Sequence, residues 1–172
     1  MQARLRFHVT RFAPILVVAI AALAPAPAAA DQPVREGLPA APFTLAPSIC
    51  GFPVDVTFPT NKEFITTFAN GKQSITGALT ATLTNDLNGK STTVNISGPG
   101  SLVPNGDGTT TFTLSGRSLI FLLPNQVGQG SPGRLILTSG PVVFQVDRNG
   151  NLTSYQITSA NVQDLCPILA NG

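Results

Sequence analysis

The sequence predicts an all-β fold: antiparallel, with about eight strands, as an up-and-down closed barrel in preference to a two-sheet sandwich. Three observations predict it. From Cys50 onward apolar residues recur at every second position, and no amphipathic helical period is present. Turn-forming clusters punctuate these runs: Asn70-Gly71, Asn85 to Gly89, Gly98-Pro99-Gly100, Asn105 to Gly108 and Asp147 to Gly150. Finally, Leu119-Ile120-Phe121-Leu122-Leu123, stopped by Pro124, is an unbroken apolar run. It reads as a strand buried on both faces, with its neighbours laid down around it.

In chain order, residues 1–30 have the form of a secretory signal peptide. Arg4, Arg6 and Arg11 precede an apolar stretch from Phe12 to Ala24, and Ala28-Ala29-Ala30 offers a cleavage site. The apolar stretch is too short for the roughly 20 helical residues that span a bilayer, so no membrane anchor is expected in the mature chain. The leader holds three of the ten basic residues, which leaves seven against eight acidic ones. Such a sparse, balanced charge set gives no electrostatic footprint for nucleic acid or for an anionic membrane surface. The single His, His8, also lies in the leader, and the chain has no Trp.

Cys50 and Cys166 lie near the two ends of the folded region, in a chain bound for an oxidising compartment, and are expected to pair. A bridge closing so long a loop stabilises by about 4 to 5 kcal/mol on the chain-entropy model. Residues 31–48 carry Pro33, Pro39, Pro42 and Pro47. They read as an extended arm without helix or ladder, leading into a single β domain at 49–172.

Within that domain seven extended segments are expected, at 53–58, 63–69, 72–84, 90–103, 109–123, 133–146 and 151–164. Asn70-Gly71 suits a two-residue hairpin, and Gly116 suits a bend. An up-and-down path brings its first and last strands to the same end only when the strand number is even. One segment must therefore divide, and Ser139-Gly140 ahead of Pro141 is the best place for a tight turn. Eight strands can close as a barrel, which is either filled by side chains or holds one small ligand.

Leu119 to Leu123, Leu135 to Leu137 and Val142 to Phe144 are apolar at both parities, so one face of each needs a cover that a barrel interior does not supply. Phe43, Leu45 and Ile49 of the arm are the nearest cover. A partner protein is the alternative, with Leu119, Phe121, Leu123, Leu135 and Leu137 as its candidate contacts.

Motifs for chemistry are scarce. Gly128 to Gly133 spells G-x-G-x-x-G, but Arg134 to Leu137 after it reads as a strand, whereas a dinucleotide site needs a helix N-terminus there. It is a loop, and Arg134 offers at most a weak anion site. The turns at Asp86 to Gly89 and Asp147 to Asn151 hint at calcium loops but lack the sixth-position Gly and the distal Glu. Without His in the mature chain, a Ser or Cys nucleophile has no imidazole base and a His-ligated metal has no ligand. A carboxylate pair among Asp55, Glu63, Asp86, Asp107, Asp147 and Asp164 remains for glycoside hydrolysis, though three of the six sit in turns. No catalytic, cofactor or metal residue is assigned.

Cys50-Gly51-Phe52-Pro53-Val54, Gly116-Arg117-Ser118-Leu119 and Asp164-Leu165-Cys166 together resemble small secreted, disulfide-closed β-rich proteins of high-GC Gram-positive bacteria, a group with no assigned activity. The resemblance implies export and the disulfide, and transfers no site. Taken together, the expectation is a secreted, non-catalytic binding module for a small apolar ligand or a partner protein, free or retained at the cell surface. The alternative is an adhesive or structural envelope component that uses an outer face rich in Thr: Thr80, Thr82, Thr84, Thr109, Thr111 and Thr113.

Overall fold

The computed structural model describes residues 32–158 and 161–171, so the expected leader, residues 1–30, lies outside the described residues. The described chain is all-β and antiparallel, with two short helices. It begins with β1 (Val34–Gly37), β2 (Phe43–Leu45), α1 (Pro47–Cys50), β3 (Val54–Thr67) and β4 (Gln73–Asn85). Next come β5 (Ser91–Asn95), β6 (Gly100–Pro104), β7 (Thr110–Leu114) and β8 (Arg117–Leu122). It ends with β9 (Arg134–Ser139), β10 (Val142–Val146), β11 (Leu152–Ile157), β12 (Asn161–Asp164) and α2 (Cys166–Ala170).

These strands form two sheets. A nine-stranded sheet follows the order β1-β3-β4-β6-β7-β10-β11, with β2 added to β3 and β5 to β4, and a three-stranded sheet has the order β12-β9-β8. Neither sheet closes on itself among the described residues, so the expected up-and-down closed barrel is not formed. Two connections explain why. At Ser115-Gly116 the chain leaves β7 of the large sheet for β8 of the small one, and at Gly140-Pro141 it returns from β9 to β10. Ser139-Gly140 does interrupt the 133–146 segment as expected, but as a crossing between sheets and not as a hairpin. The crossing is tight. The Gly140 N–H donates to the Gly116 carbonyl at 3.1 Å, and a Cβ on Gly116 would sit 2.5 Å from Gly98 Cα. Only glycine allows two backbones to pass so closely.

Other expected boundaries shift for local reasons. The segments at 53–58 and 63–69 are one strand, β3, which absorbs Phe58 and Pro59 in a bulge between Thr57 and Thr60. The Asn70-Gly71 hairpin has three loop residues, not two: Phe68 N–H donates to Lys72 O at 2.9 Å, and only Gly71 takes positive φ, at 78°. This is the type I turn with a left-handed glycine, and Asn105 to Thr109 and Asp147 to Asn151 repeat its hydrogen bonds. The arm also forms ladders. β1 pairs with Phe64 to Thr67 and β2 with Val54 to Val56 of β3, while Pro33 precedes β1, Pro39 and Pro42 fall between the two strands and Pro47 starts α1.

Two strands of the small sheet, β8 and β9, come between β7 and β10 of the large one in chain order and the third, β12, follows β11, with a different apolar set on each face of the small sheet. Register places Leu119, Phe121, Leu135 and Leu137 on one face, and Ile120, Leu122, Arg134, Ile136 and Thr138 on the other. The first face packs into the main core with Leu45, Ile49, Val54, Val56, Ala81, Leu83 and Val94, closed below by Leu165 and Leu169. The strand buried on both faces is therefore β9, where Leu135, Ile136 and Thr138 are fully buried. It is not the run at 119–123, because β8 is the edge of its sheet and leaves Phe121 45% exposed.

Cys50 and Cys166 form the expected disulfide, with Cα atoms 5.1 Å apart. They stand on α1 and α2, which meet beside β9, so the parity of the strand count places no constraint on the bridge. The Leu169 carbonyl of α2 accepts from Asn85 Nδ2 at 3.1 Å and Asn88 Nδ2 at 3.2 Å, which ties the last helix to the β4–β5 turn.

Candidate functional site

The second face of the small sheet is only partly filled. Ile120 and Leu122 of β8 look across at Leu114 of β7, Phe144 and Val146 of β10, and Leu152 and Tyr155 of β11, around a cavity of about 330 Å³. Cross-strand register builds the opposing wall. Phe144 lies opposite Phe112 on one side and Tyr155 on the other, and Val142 lies opposite Leu114. The Phe112 and Phe144 rings stack with centroids 4.7 Å apart and planes 7° from parallel, making a flat apolar floor. Gln126, from the loop after β8, also lines the space, and its Oε1 accepts the Leu123 N–H at 2.7 Å, which pins the loop there. The volume is at the lower end of the 300 to 1,000 Å³ typical of small-molecule sites, roughly the range in which an apolar wall with a few polar groups serves as a binding pocket.

Besides Gln126, Tyr155 lines this space and Arg134 stands beside it. The Tyr155 hydroxyl is buried and has no hydrogen-bond partner among the described residues. Burial raises the phenol pKa, while the nearby Arg134 guanidinium pulls it the other way. Arg134 opens β9 directly opposite Leu122, on the face that looks into the cleft. Among the described residues it makes no hydrogen bond or ion pair through its side chain. The carboxylate that register places nearest, Asp164 on the adjacent β12, accepts the Cys166 N–H through Oδ1 at 3.0 Å.

The five residues expected to face a partner divide between environments. Leu119 and Phe121 touch the cleft, and the Phe121 ring also lies 6.0 Å from Phe43. Leu123 is exposed at the start of the loop. Leu135 and Leu137 are buried in the main core, where Ile49 of the arm and Leu165 supply the cover. Ile120, Leu122 and Phe144 belong to the doubly apolar runs but not to the candidate contacts, and no role is assigned to Leu152 and Tyr155 from the sequence. The Asp147 to Gly150 turn carried the missing signal, since folding the chain back there sets Phe144 opposite Tyr155.

The remaining motifs resolve into local structure. Gly128 to Gly133 forms a loop closed by Asn125, whose Oδ1 accepts the Gly130 N–H at 2.7 Å, and β9 follows it at once. At Gly133 the loop lies against the Ser48 carbonyl, where a Cβ has no room. The Asp147 carboxylate bonds Asn151 and the Asn149 N–H, and Asp107 bonds the Thr109 N–H and hydroxyl, which holds both below the usual carboxylate range. Asp55 accepts from the Thr44 hydroxyl at 2.6 Å. Among the described residues no group of three or more His, Cys, Asp or Glu stands close enough to hold a metal ion. On the outer face, Thr82 bonds Thr93 at 2.8 Å, and Thr111 accepts from Asn105 and Gln145, so these hydroxyls are engaged with neighbouring side chains. A larger depression, of about 460 Å³, runs past Arg117, Thr138 and Gln163 at the β12 side, with a polar lining.

Comparison with known proteins finds no family model, no curated protein and no solved structure that matches this chain.

Proposed function

We propose that this chain is a secreted, non-catalytic binding module whose cleft between β8 and β7, β10 and β11 accepts a small apolar ligand. The observation that carries the reading is the cavity itself. Leucines, an isoleucine, a valine and three aromatic rings line a space that the described side chains leave unfilled, apart from the buried main core. The disulfide and the leader-like residues 1–30 support export to an oxidising compartment. Four of the six candidate carboxylates, Asp55, Asp107, Asp147 and Asp164, are committed to turns, a cap and a strand contact, which supports binding over hydrolysis. The envelope-adhesive alternative rests on the Thr-rich face, and the bonding of Thr82, Thr93 and Thr111 to their neighbours leaves that face fewer free hydroxyls.

Titration calorimetry with 1-decanol, an uncharged apolar chain, tests the reading. Saturable binding by the native protein is expected, together with its loss in Leu152→Trp, where an indole on the outermost strand of the large sheet fills the cavity. Absence of saturable binding by the native protein, or equal binding by the filled variant, would overturn it.

A further inference from the structure

We infer that the cleft is built for an amphipathic carboxylic acid, its alkyl chain lying among Ile120, Leu122, Phe144 and Leu152 and its headgroup held by Arg134 and the Tyr155 hydroxyl. This rests on the binding reading above and adds the ligand's class to it.

The walls alone would accept any apolar molecule, so the ligand's class must come from the polar groups. A buried hydroxyl without a partner is uncommon, because leaving a donor unsatisfied costs more than a typical hydrogen bond contributes. Tyr155 is such a donor, and it lies on the apolar wall and not in a polar network. Arg134 is a cation beside the same cleft, placed there by its register with Leu122. No Asp or Glu occurs anywhere in β7, β8, β9, β10 or β11, so none of the strands that wall the cleft offers it a counter-charge. A guanidinium fork presents only donors and a phenol O–H can add one more, and the group that accepts from both together is an oxyanion, with the carboxylate the best geometric match to the fork. The proximity of the two groups also appears in the phenol's ionisation, which Arg134 draws down against the effect of burial.

The size of the space limits the other end of the molecule. At about 30 Å³ per group, the share of one water molecule in the liquid, a cavity of about 330 Å³ takes on the order of ten methylene-sized groups. A saturated acid of medium chain length fits, and a sterol-sized ring system does not.

Calorimetry comparing decanoate, 1-decanol and decylammonium at neutral pH, each below its aggregation threshold, tests the inference. Decanoate is expected to bind about tenfold or more tightly than decanol, and decylammonium more weakly than either. In Arg134→Gln, whose side chain is half-buried at a strand end, decanoate should fall to the level of decanol while decanol is unchanged. Tyr155→Phe should weaken decanoate more than decanol. Equal binding of all three probes by the native protein would overturn the headgroup assignment and leave the apolar cleft standing. Failure of all three to bind would remove the binding reading itself.

Discussion

Tyr155 is a side chain poorly placed for stability. It stands opposite Phe144 in the β10–β11 ladder, and its hydroxyl is buried without a partner among the described residues. Removing that oxygen leaves the ring's packing in place and relieves the unsatisfied donor. Tyr155→Phe is therefore expected to unfold at the same denaturant midpoint as the native chain or a higher one, by up to about 1 kcal/mol, measured without ligand. A substantial loss of stability would mean that the hydroxyl has a structural partner. Glu63 carries a similar tension. Burial on β3 raises its carboxyl pKa, so the ionised form is penalised in the folded protein and the penalty is present above the folded pKa. As the pH falls through that value the folded chain takes up the proton first, and the penalty is gone once the unfolded group is protonated as well, near about pH 4. Glu63→Gln should thus melt higher than the native protein at pH 7 and no higher at pH 3. Asp107 and Asp147 act with the opposite sign, because their hydrogen bonds to Thr109 and to Asn151 depress their pKa values. Their contribution is present above the unfolded pKa and is lost as the pH falls through the lowered folded values.

At the scale of elements, the arm is the clearest case of structure that composition obscured. Four prolines in a short stretch argue against regular structure, yet each lies outside the ladders, and the residues between them are long enough to add β1 and β2 to the edge of β3. Leu45 and Ile49 are consequently core residues, 6% and 4% exposed, whereas Phe43 on the same arm is 39% exposed. Leu45→Ala and Ile49→Ala should each cost about 2 to 5 kcal/mol in urea unfolding, the range for emptying a buried aliphatic site, while Phe43→Ala should cost about 1 kcal/mol or less. Near-native stability of Ile49→Ala would show that the arm merely drapes over the core. What the sequence makes legible here is parity: alternation with polar residues sets Val54 and Val56 on one face of β3 and Ala81 and Leu83 on one face of β4, and all four are core residues. Partnership was not legible. The apolar run at 119–123 and the run at 135–137 look alike in composition, and only the presence of β12 beside β9 makes one central and the other an edge. The cleft was half visible for the same reason. Arg134, Leu119 and Phe121 stood out locally, whereas Phe144 and Tyr155 become a wall only when β10 and β11 are paired.

For the whole molecule, the central place of β9 in the small sheet, between β8 and β12, makes it the point on which both packed faces depend. Its amides bond to β8 on one side and β12 on the other, and its side chains from Leu135 to Thr138 are at most 5% exposed. The opposite extreme is the outer half of the β3–β4 hairpin with β1. There every residue of β1 is exposed, and Phe64 and Phe68 are each 37% exposed, with Arg35 stacked 4.1 Å over the Phe64 ring as a partial cover. Local opening requires only that the contacts of the opening unit be broken, so the two regions should exchange their amide hydrogens by different routes. In native-state hydrogen exchange, the amides of Leu135 to Thr138 should exchange only through global unfolding, with a free energy equal to that from denaturant titration. Those of Val34 to Gly37 should exchange by local fraying at several kcal/mol less, roughly the span seen between cores and edges. Reduction of the Cys50–Cys166 bridge should lower protection in β9 by about 4 to 5 kcal/mol, because the bridge limits the unfolded ensemble that β9 exchange samples. It should leave β1 almost unchanged, since β1 opens without unfolding the rest. Equal protection in β1 and β9, or a fall of the same size in both on reduction, would mean that the two sheets open as one unit and that the small sheet is not the centre of the fold.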